Sequence, residues 1–427
     1  MINRELFDFI RESPTAFHAV NNIAETLLKA GYSELSEREG FEVKRGGSYF
    51  VRRNDSSLIA LRLPENGVKS FNIMAAHSDA PSFKLKEQPE RKNDMYSRLA
   101  VEKYGGMLCA SWLDRTLSAA GRVLLREGDK LRSVLVDLKD ELFMIPNVAI
   151  HMDRSANEGK AYNANVDMLP LMGSAAAAEE YKSLLAKAAG CEYENIVSAE
   201  LFLYPCEKGR VWGVSKEYIS SPRLDDLQCA FGCMKGFVGA ESRGEVCPVL
   251  CVFDNEEVGS GTKQGADSDF LDSVLLRVCE ALGMSMGEYK AALSNSFMVS
   301  ADNAHAVHPN HPEYADANDR PAMNGGVVIK YNANQRYTTD AVSAAVFSEI
   351  CRRAGVPTQR FSNRADLAGG STLGNISSAH VSVDSVDIGL AQLAMHSAVE
   401  TAGAKDTELL IKAAKAFYET DVRALLG

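Results

Sequence analysis

Histidine and carboxylate side chains, which are common ligands of divalent metal ions, follow four apolar runs of the chain. These residues are His77 and Asp79 after FNIMAA, Asp254, Glu256 and Glu257 after VLCVF, Asp302 after FMVSA, and His396 shortly after VDIGL. Metal-assisted hydrolysis needs a Lewis acid, a water that is nucleophilic at neutral pH and a base that takes its proton. Imidazoles and carboxylates supply all three, so this set predicts a hydrolytic metal site.

A site with two metal ions, about 3.5–4 Å apart, also needs a carboxylate that reaches both ions. Asp225, in SSPRLDDL after a short β-like stretch, is the candidate for this bridge. The adjacent Glu256 and Glu257 can divide the remaining work, one as general base and the other as ligand. Asp79 follows His77 at a spacing that lets a carboxylate hold or orient a metal-bound imidazole.

The four apolar runs have the continuous hydrophobic character of strands that are covered on both faces of a sheet. Helix-like stretches, including 271–293 and 340–354, lie between or beside them. This pattern predicts an α/β fold whose central sheet is flanked by helices and binds ligands beyond the carboxyl ends of its strands. Taken singly, a histidine after a strand is more often structural and an NEE triplet is more often solvated surface. Their shared position at one predicted sheet edge favours a functional site.

Residues 89–198 interrupt this pattern. They contain β-like segments and a helix, but His151 is their only histidine. The segment is therefore predicted to be an inserted β-rich domain without a metal site of its own. It divides the predicted catalytic domain into residues 1–88 and 199–427.

Composition narrows the class of protein. The 427 residues are 46% hydrophobic and 24% charged, as in ordinary globular proteins. A net charge of −11 argues against a nucleic-acid partner. The amino terminus lacks the apolar stretch of a signal peptide, and no run reaches membrane-spanning length. Nine scattered cysteines without a disulfide framework favour reduced thiols, so we expect a cytoplasmic protein without a membrane partner.

Several motifs, in this order along nearly the whole chain, resemble those of the aspartyl aminopeptidase family and its bacterial relatives, which are dinuclear zinc peptidases. They are AAHSDAPSFKLK (75–86), IPNVAIHMDR (145–154), SPRLDDL (221–227), FDNEEVGSGTKQGA (253–266), SADNAHAVHPN (300–310), VIKYNANQRY (328–337) and AMHS (394–397). The resemblance implies a metal-dependent aminopeptidase of the zinc-peptidase fold that acts on peptides. One departure is Asp226, which stands where the more familiar family pattern has Asn.

The resemblance also implies a role for each candidate residue. The implied roles are one zinc on His77 and Asp302, the other on Glu257 and His396, a bridge by Asp225, a general base in Glu256, and orientation of His77 by Asp79. The cofactor would be two divalent ions, most simply zinc, although manganese or cobalt suits the same ligands.

The resemblance further implies that the inserted segment is a dimerisation domain within a tetrahedral dodecamer. His151 would reach the active site of the neighbouring subunit and bind substrate there. Lys330 would pair with an acidic substrate side chain, which implies a preference for N-terminal Asp or Glu, although a lysine on a strand can simply extend to solvent. His308 is a candidate substrate contact, whereas we expect His305 to brace its loop.

Two other functions compete with this one. Residues 283–287 have the GxSxG spacing of a serine hydrolase, with later acids and His396 in the right order. However, the nucleophile of such an enzyme follows a strand, and the preceding LDSVLLRVCEAL has the pattern of a helix. The second alternative is an inactive scaffold, against which the presence of every predicted ligand and of Glu256 argues.

Overall fold

The computed structural model describes residues 1–426. Its helices are α1 (Ile2–Arg11), α2 (Ala16–Lys29), α3 (Ala177–Ala189), α4 (Leu224–Gly239), α5 (Phe270–Ala281), α6 (Met286–Ser294), α7 (Ala341–Arg353), α8 (Leu373–Ser377), α9 (Asp406–Tyr418) and α10 (Arg423–Leu426). Within residues 1–426, no helix combines the length and the apolar character that crossing a membrane requires.

The predicted helix 271–293 is two helices, α5 and α6, because Gly283 takes a φ of +79° and Ser285 caps the second helix.

Within the described residues 1–426, twenty strands form two sheets. They are β1 (Ser33–Leu35), β2 (Ser48–Arg53), β3 (Ser57–Arg62), β4 (Ser70–His77), β5 (Ser82–Lys92), β6 (Tyr96–Tyr104), β7 (Thr116–Glu127), β8 (Lys130–Asp137), β9 (Phe143–Met144), β10 (Leu171–Ser174), β11 (Ile196–Pro205), β12 (Arg210–Trp212), β13 (Tyr218–Ser221), β14 (Val246–Phe253), β15 (Phe297–Ala301), β16 (Ala304–His305), β17 (Val327–Tyr331), β18 (Thr358–Ser362), β19 (Asp384–Leu393) and β20 (Glu400–Gly403).

The main sheet is mixed, with thirteen strands whose longest path runs β1-β2-β3-β14-β4-β15-β19-β20-β13-β12. Its central strands β14, β4, β15 and β19 are parallel to one another. Every residue of β4 and β14 is buried, because helices cover both faces. Neighbouring side chains of β4 therefore enter different cores: Met74 packs with residues of α2, α4 and α9, and Ile73 packs with residues of α5 and α6. The predicted α/β sheet flanked by helices is confirmed.

The second sheet forms a separate barrel between β4 and β13. Its seven strands follow the order β11-β5-β6-β10-β9-β7-β8, and β11 also pairs with β7, which closes the circle. The barrel has its own apolar core, around side chains such as Phe83, Leu117 and Leu203. The inserted β-rich domain is thus confirmed as an architectural unit, and its strands extend from Ser82 to Pro205, past both ends of the predicted segment 89–198.

Candidate metal centre

Four parallel strands of the main sheet end at one edge and carry predicted ligands there. His77 is the last residue of β4, and Asp302 directly follows β15. Glu256 and Glu257 begin a short turn after β14, and His396 lies in the loop after β19. Because the carboxyl ends of parallel strands meet at the same edge of a sheet, these five side chains converge.

Asp225 approaches the same edge from the first turn of α4. Asp225 and Asp226 have non-helical backbone angles there, and the peptide bond between them is cis. Both carboxylates are buried, and Asp226 Oδ2 accepts a hydrogen bond from the backbone N–H of His77 at 3.1 Å. The turn therefore brings two adjacent carboxylates against the end of β4.

The carboxylate of Asp225 lies between the two histidines. Its Oδ1 is 3.7 Å from Nε2 of His77, and its Oδ2 is 3.5 Å from Nε2 of His396. Nε2 of His396 is also 3.3 Å from Oε2 of Glu257. One carboxylate thus faces two separate groups of ligands, one through each oxygen.

The donor atoms fit two divalent ions. Among the described residues, three groups have ligand atoms that lie within 4.8 Å of one another: His77, Asp225, Asp226 and Asp302; Asp225, Glu257 and His396; and His77, Glu256 and Glu257. Oδ1 of Asp225, Oδ1 of Asp226 and Oε1 of Glu257 are buried without a hydrogen-bond partner. A buried carboxylate oxygen without a partner is costly unless a cation pairs with it. This cost, and the mixed imidazole and carboxylate chemistry, suit metal binding.

The pKa values of these groups reflect the crowding of negative charge. Burial, with the carboxylates of Asp302 and Asp79 adding to it, raises the pKa of Glu256 to about 8. Burial raises the pKa of Glu257 well above its ordinary value, and that of Asp302 to about 6 despite the opposing charge of Lys330. The electrostatics therefore favour cations at this edge of the sheet.

Asp79 binds several parts of the centre at once. Nδ1 of His77 is hydrogen-bonded to the backbone carbonyl oxygen of Asp79 at 3.1 Å and lies 3.3 Å from Oδ1 of the same residue, which leaves Nε2 on the side of Asp225. Oδ1 also accepts the N–H of Glu256, and Oδ2 accepts the N–H of Glu257, both at 3.2 Å. Asp79 therefore fixes the turn that carries the two glutamates as well as the imidazole predicted for it.

Glu400, which the sequence reasoning did not select, connects two ligand segments. It is 1% exposed, and its carboxylate accepts the N–H of Asp225 at 2.9 Å and the N–H of His396 at 2.7 Å. His396 has a φ of +65°, a left-handed conformation that is uncommon for a residue with a side chain. Its hydrogen bond to Glu400 helps to maintain this conformation. The spacing of His396 and Glu400 along the chain carries no signal of this role, because the bonds run to backbone groups.

Lys330 lies inside the site. A cavity of about 210 Å³ beside the ligands is lined by Lys330, His305, Tyr337 and Phe361, among others. Nζ of Lys330 donates to the carbonyl oxygen of Asp302 at 2.8 Å and lies 3.6 Å from its Oδ2. Lys330 thus contacts the loop that carries a predicted ligand, at the wall of the cavity.

The other predicted substrate contacts are outside this cavity in the single chain. His308 is exposed, and its Nδ1 accepts the N–H of Asn310 at 3.2 Å. His151 lies in an exposed turn of the inserted domain. The imidazole of His305 packs edge-on against Phe361, with 5.9 Å between the ring centres. The structure brings Lys330 and His305 to the ligands but not His308 or His151.

The serine-hydrolase alternative finds no support at residues 283–287. Ser285 follows helix α5 rather than a strand and caps helix α6. Its Oγ accepts the N–H of Glu288 and donates to the Glu288 carboxylate at 2.8 Å. The spacing therefore reflects a helix cap.

An α/β sheet that gathers imidazoles and carboxylates around a shared carboxylate defines the class of metal-dependent hydrolases. The family model described as aminopeptidase I zinc metalloprotease (M18) matches residues 9–418. The chain belongs to the M18 family and is a metal-dependent aminopeptidase. The predicted family resemblance is confirmed.

Three similar proteins match this chain over almost its whole length. A probable M18 family aminopeptidase 2 of Clostridium acetobutylicum is 44% identical over 97% of this chain and 98% of its own. A chain in the structure of the Ape4 and Nbr1 complex matches with a TM-score of 0.95 and 35% identity, over 97% of this chain and 85% of its own. The S. cerevisiae mApe1 dodecamer matches with a TM-score of 0.88 and 29% identity, over 100% of this chain and 98% of its own.

Proposed function

We propose that this aminopeptidase removes N-terminal residues from peptides with two divalent metal ions and a glutamate general base. The observation that carries the proposal is the carboxylate of Asp225, whose oxygens face His77 on one side and His396 on the other. A carboxylate that serves two ions needs this arrangement. An inactive scaffold would not need to keep a complete set of metal-binding side chains, so this set argues against that alternative.

The side chains of the centre have two proposed roles, as metal ligands and as a general base. We assign His77 and Asp302 as ligands of one ion, Glu257 and His396 as ligands of the other, and Asp225 as a ligand of both. When bound, zinc, or manganese or cobalt in its stead, supplies Lewis acidity for the peptide carbonyl and lowers the pKa of water. Asp79 orients His77, and both of its oxygens are already in use, so it does not serve as the base.

Glu256 is the residue that takes the proton of the attacking water. Its carboxylate lines the cavity beside the ligands, while its backbone N–H is fixed by Asp79. A general base must lie within hydrogen-bond reach of the proton that it takes. Glu256 lines the cavity beside the ligands and its backbone is held in place, so it is positioned for this transfer and can later return the proton to the leaving amine.

An acidic N-terminal residue is the substrate preference that we propose. Among the described residues that line the cavity, Lys330 is the one lysine or arginine. Its ammonium group would attract a carboxylate on the first side chain of the peptide. His308, on the exposed loop that follows Asp302, would contact the peptide further along.

We further propose that the active form is a dodecamer in which residues 89–198 make the dimer contact and His151 enters the neighbouring active site. The mApe1 relative is a dodecamer by its description. In the loop around His151, the apolar side chains of Val148, Ile150 and Met152 are 47%, 48% and 85% exposed. A group of exposed apolar side chains favours a protein interface.

All nine cysteines lie among the described residues and none is in a disulfide, which supports a cytoplasmic location.

The test uses Glu256→Gln, which removes the base but no proposed ligand. We expect wild-type protein to bind two ions per chain and to lose activity on dialysis against 1,10-phenanthroline. Glu256→Gln should keep both ions and lose about 100- to 10,000-fold in turnover. A panel of Asp, Glu, Leu, Lys and Ala reporters then measures the preference. Turnover like that of the wild type in the variant, or one ion per chain, would contradict the proposed mechanism.

A further inference from the structure

The chain leaves the barrel at the end of β6 and crosses to the edge of the main sheet. We name residues 104–111 the bracing segment. It begins with Tyr104, the last residue of β6, and ends in the short helical turn Cys109–Trp112. Although the barrel contributes no predicted metal ligand, this segment lies against three loops that do.

Tyr104 connects two of these loops through its phenol oxygen. The hydroxyl donates to Oδ2 of Asp79 at 2.7 Å and accepts from Nδ2 of Asn255 at 2.8 Å. Asp79 is the carboxylate that fixes His77 and the turn of the glutamates, and Asn255 immediately precedes that turn. One hydroxyl from the barrel therefore links the end of β4 to the loop after β14.

The next two residues pass close to the ligands, and at Gly105 a side chain would interfere with Glu257. Gly105 has a φ of +76°, and a Cβ added there would lie 3.1 Å from the Cβ of Glu257. A Cβ at Gly106 would lie 4.0 Å from Nδ1 of His396. Glycine allows both the left-handed turn and this approach. The backbone itself is therefore the surface that supports Glu257 and His396.

The end of the segment holds the third loop. The N–H of Leu108 donates to the carbonyl oxygen of His396 at 3.0 Å. Oγ of Ser111 accepts the N–H of Ala398 at 2.8 Å. The loop after β19 is thus bound at two points near the end of the bracing segment.

We propose that the bracing segment of the inserted domain is part of the metal centre, and that Tyr104 is a positioning residue that sets the geometry of the ligands through Asp79 and Asn255. This inference rests on the proposed two-metal function. Hydrogen bonds behind metal ligands orient them and tune their affinity. Removal of the Tyr104 hydroxyl takes one donor from the buried Asp79 carboxylate, which then holds the imidazole and the glutamate turn less firmly.

The test compares Tyr104→Phe with Tyr96→Phe. Phenylalanine keeps the ring that packs edge-on against Phe202, with 5.5 Å between ring centres, and removes only the hydroxyl. Tyr96 is in the same strand and is 50% exposed, so it is the matched control. Zinc affinity is measured by competition with a chelator, alongside kcat, KM and circular dichroism.

For Tyr104→Phe we expect zinc affinity to fall about 10- to 100-fold. Turnover should fall in parallel, with KM nearly unchanged, and added zinc should restore part of it. Tyr96→Phe should match the wild type. A folded Tyr104→Phe protein with wild-type zinc affinity and kcat would overturn the inference.

Ser111→Ala is the second variant, in case Tyr104→Phe does not fold. It removes the acceptor of the Ala398 N–H and should weaken zinc binding in the same direction. Wild-type affinity in that variant would also overturn the inference. If the wild-type protein binds no pair of ions, the proposed function fails and this inference falls with it. If the wild type binds two ions and the variants bind them equally well, the inference fails and the proposed function survives.

Discussion

The two halves of the metal centre are built differently. The core half, His77 with Asp302, is nearly closed to solvent: the exposed fractions of the two side chains are 1% and 12%. In the loop half, Glu257 with His396, the imidazole is 32% exposed. His77 belongs to a strand, whereas His396 lies in a loop with a left-handed backbone.

The halves also differ in what holds them. The core half is held by the sheet and by two further interactions. Asp226 accepts a hydrogen bond from the backbone of His77, and Lys330 forms an ion pair with Asp302. The loop half depends on hydrogen bonds from distant segments, namely from Glu400 of β20 and from Leu108 and Ser111 of the bracing segment. Tyr104 acts on both halves through Asp79. We therefore expect changes in the core half to cost folding stability, and changes in the loop half to cost metal affinity.

Lys330→Met should produce the largest effect and should appear in stability. The ammonium of Lys330 is 3.6 Å from Oδ2 of Asp302, and its side chain is 2% exposed. Loss of one partner of a buried pair leaves the other charge uncompensated, which costs about 3–5 kcal/mol. Denaturant unfolding of the metal-free protein measures this change in the free energy of unfolding.

The control is Lys412→Met, which breaks an exposed helical pair with Glu408 at 3.0 Å. That variant should lose no more than about 0.5 kcal/mol. Because Lys330 also lines the cavity, Lys330→Met should in addition lower turnover of Asp and Glu reporters relative to Leu. Unchanged unfolding would show that Lys330 does not hold the core half.

Glu400→Gln should have an intermediate effect that is larger in the loop half, because Glu400 binds the backbone of His396 and also that of Asp225, which serves both ions. Glutamine keeps one acceptor oxygen but turns an amide NH2 toward the N–H of either residue. We expect about 10- to 100-fold weaker binding of the ion in the loop half and a smaller loss for the other ion. Calorimetric titration of the metal-free protein with zinc resolves the two binding steps. Equal weakening of both steps would contradict the division into halves.

The sequence predicts the ligands of the core half more readily than it predicts the residues that hold the loop half in place. The strands β4 and β15 are apolar almost throughout, so the apolar pattern alone assigns their ends, and hence His77 and Asp302, to one sheet edge. Glu400 binds Asp225 across 175 residues, and Tyr104 binds Asp79 across 25. Glu400 binds backbone groups, and Tyr104 binds a carboxylate of another loop. Hydrogen bonds of these kinds produce no characteristic spacing or periodicity in the sequence. Asp226 stands out in the sequence only as a departure from a family pattern.

His308→Ala should give the smallest effect. It tests whether the loop after Asp302 contacts the substrate in addition to carrying a ligand of the core half. His308 is exposed, so a peptide contact there contributes about 0.5–1 kcal/mol, and its loss gives a roughly two- to fivefold higher KM. Because such a contact is equal in the ground state and the transition state, kcat should stay the same. His311→Ala is the matched control, since its ring lies 5.3 Å from that of His308 and is also exposed. An unchanged KM in steady-state assays of His308→Ala would restrict the loop's role to holding Asp302 in the core half.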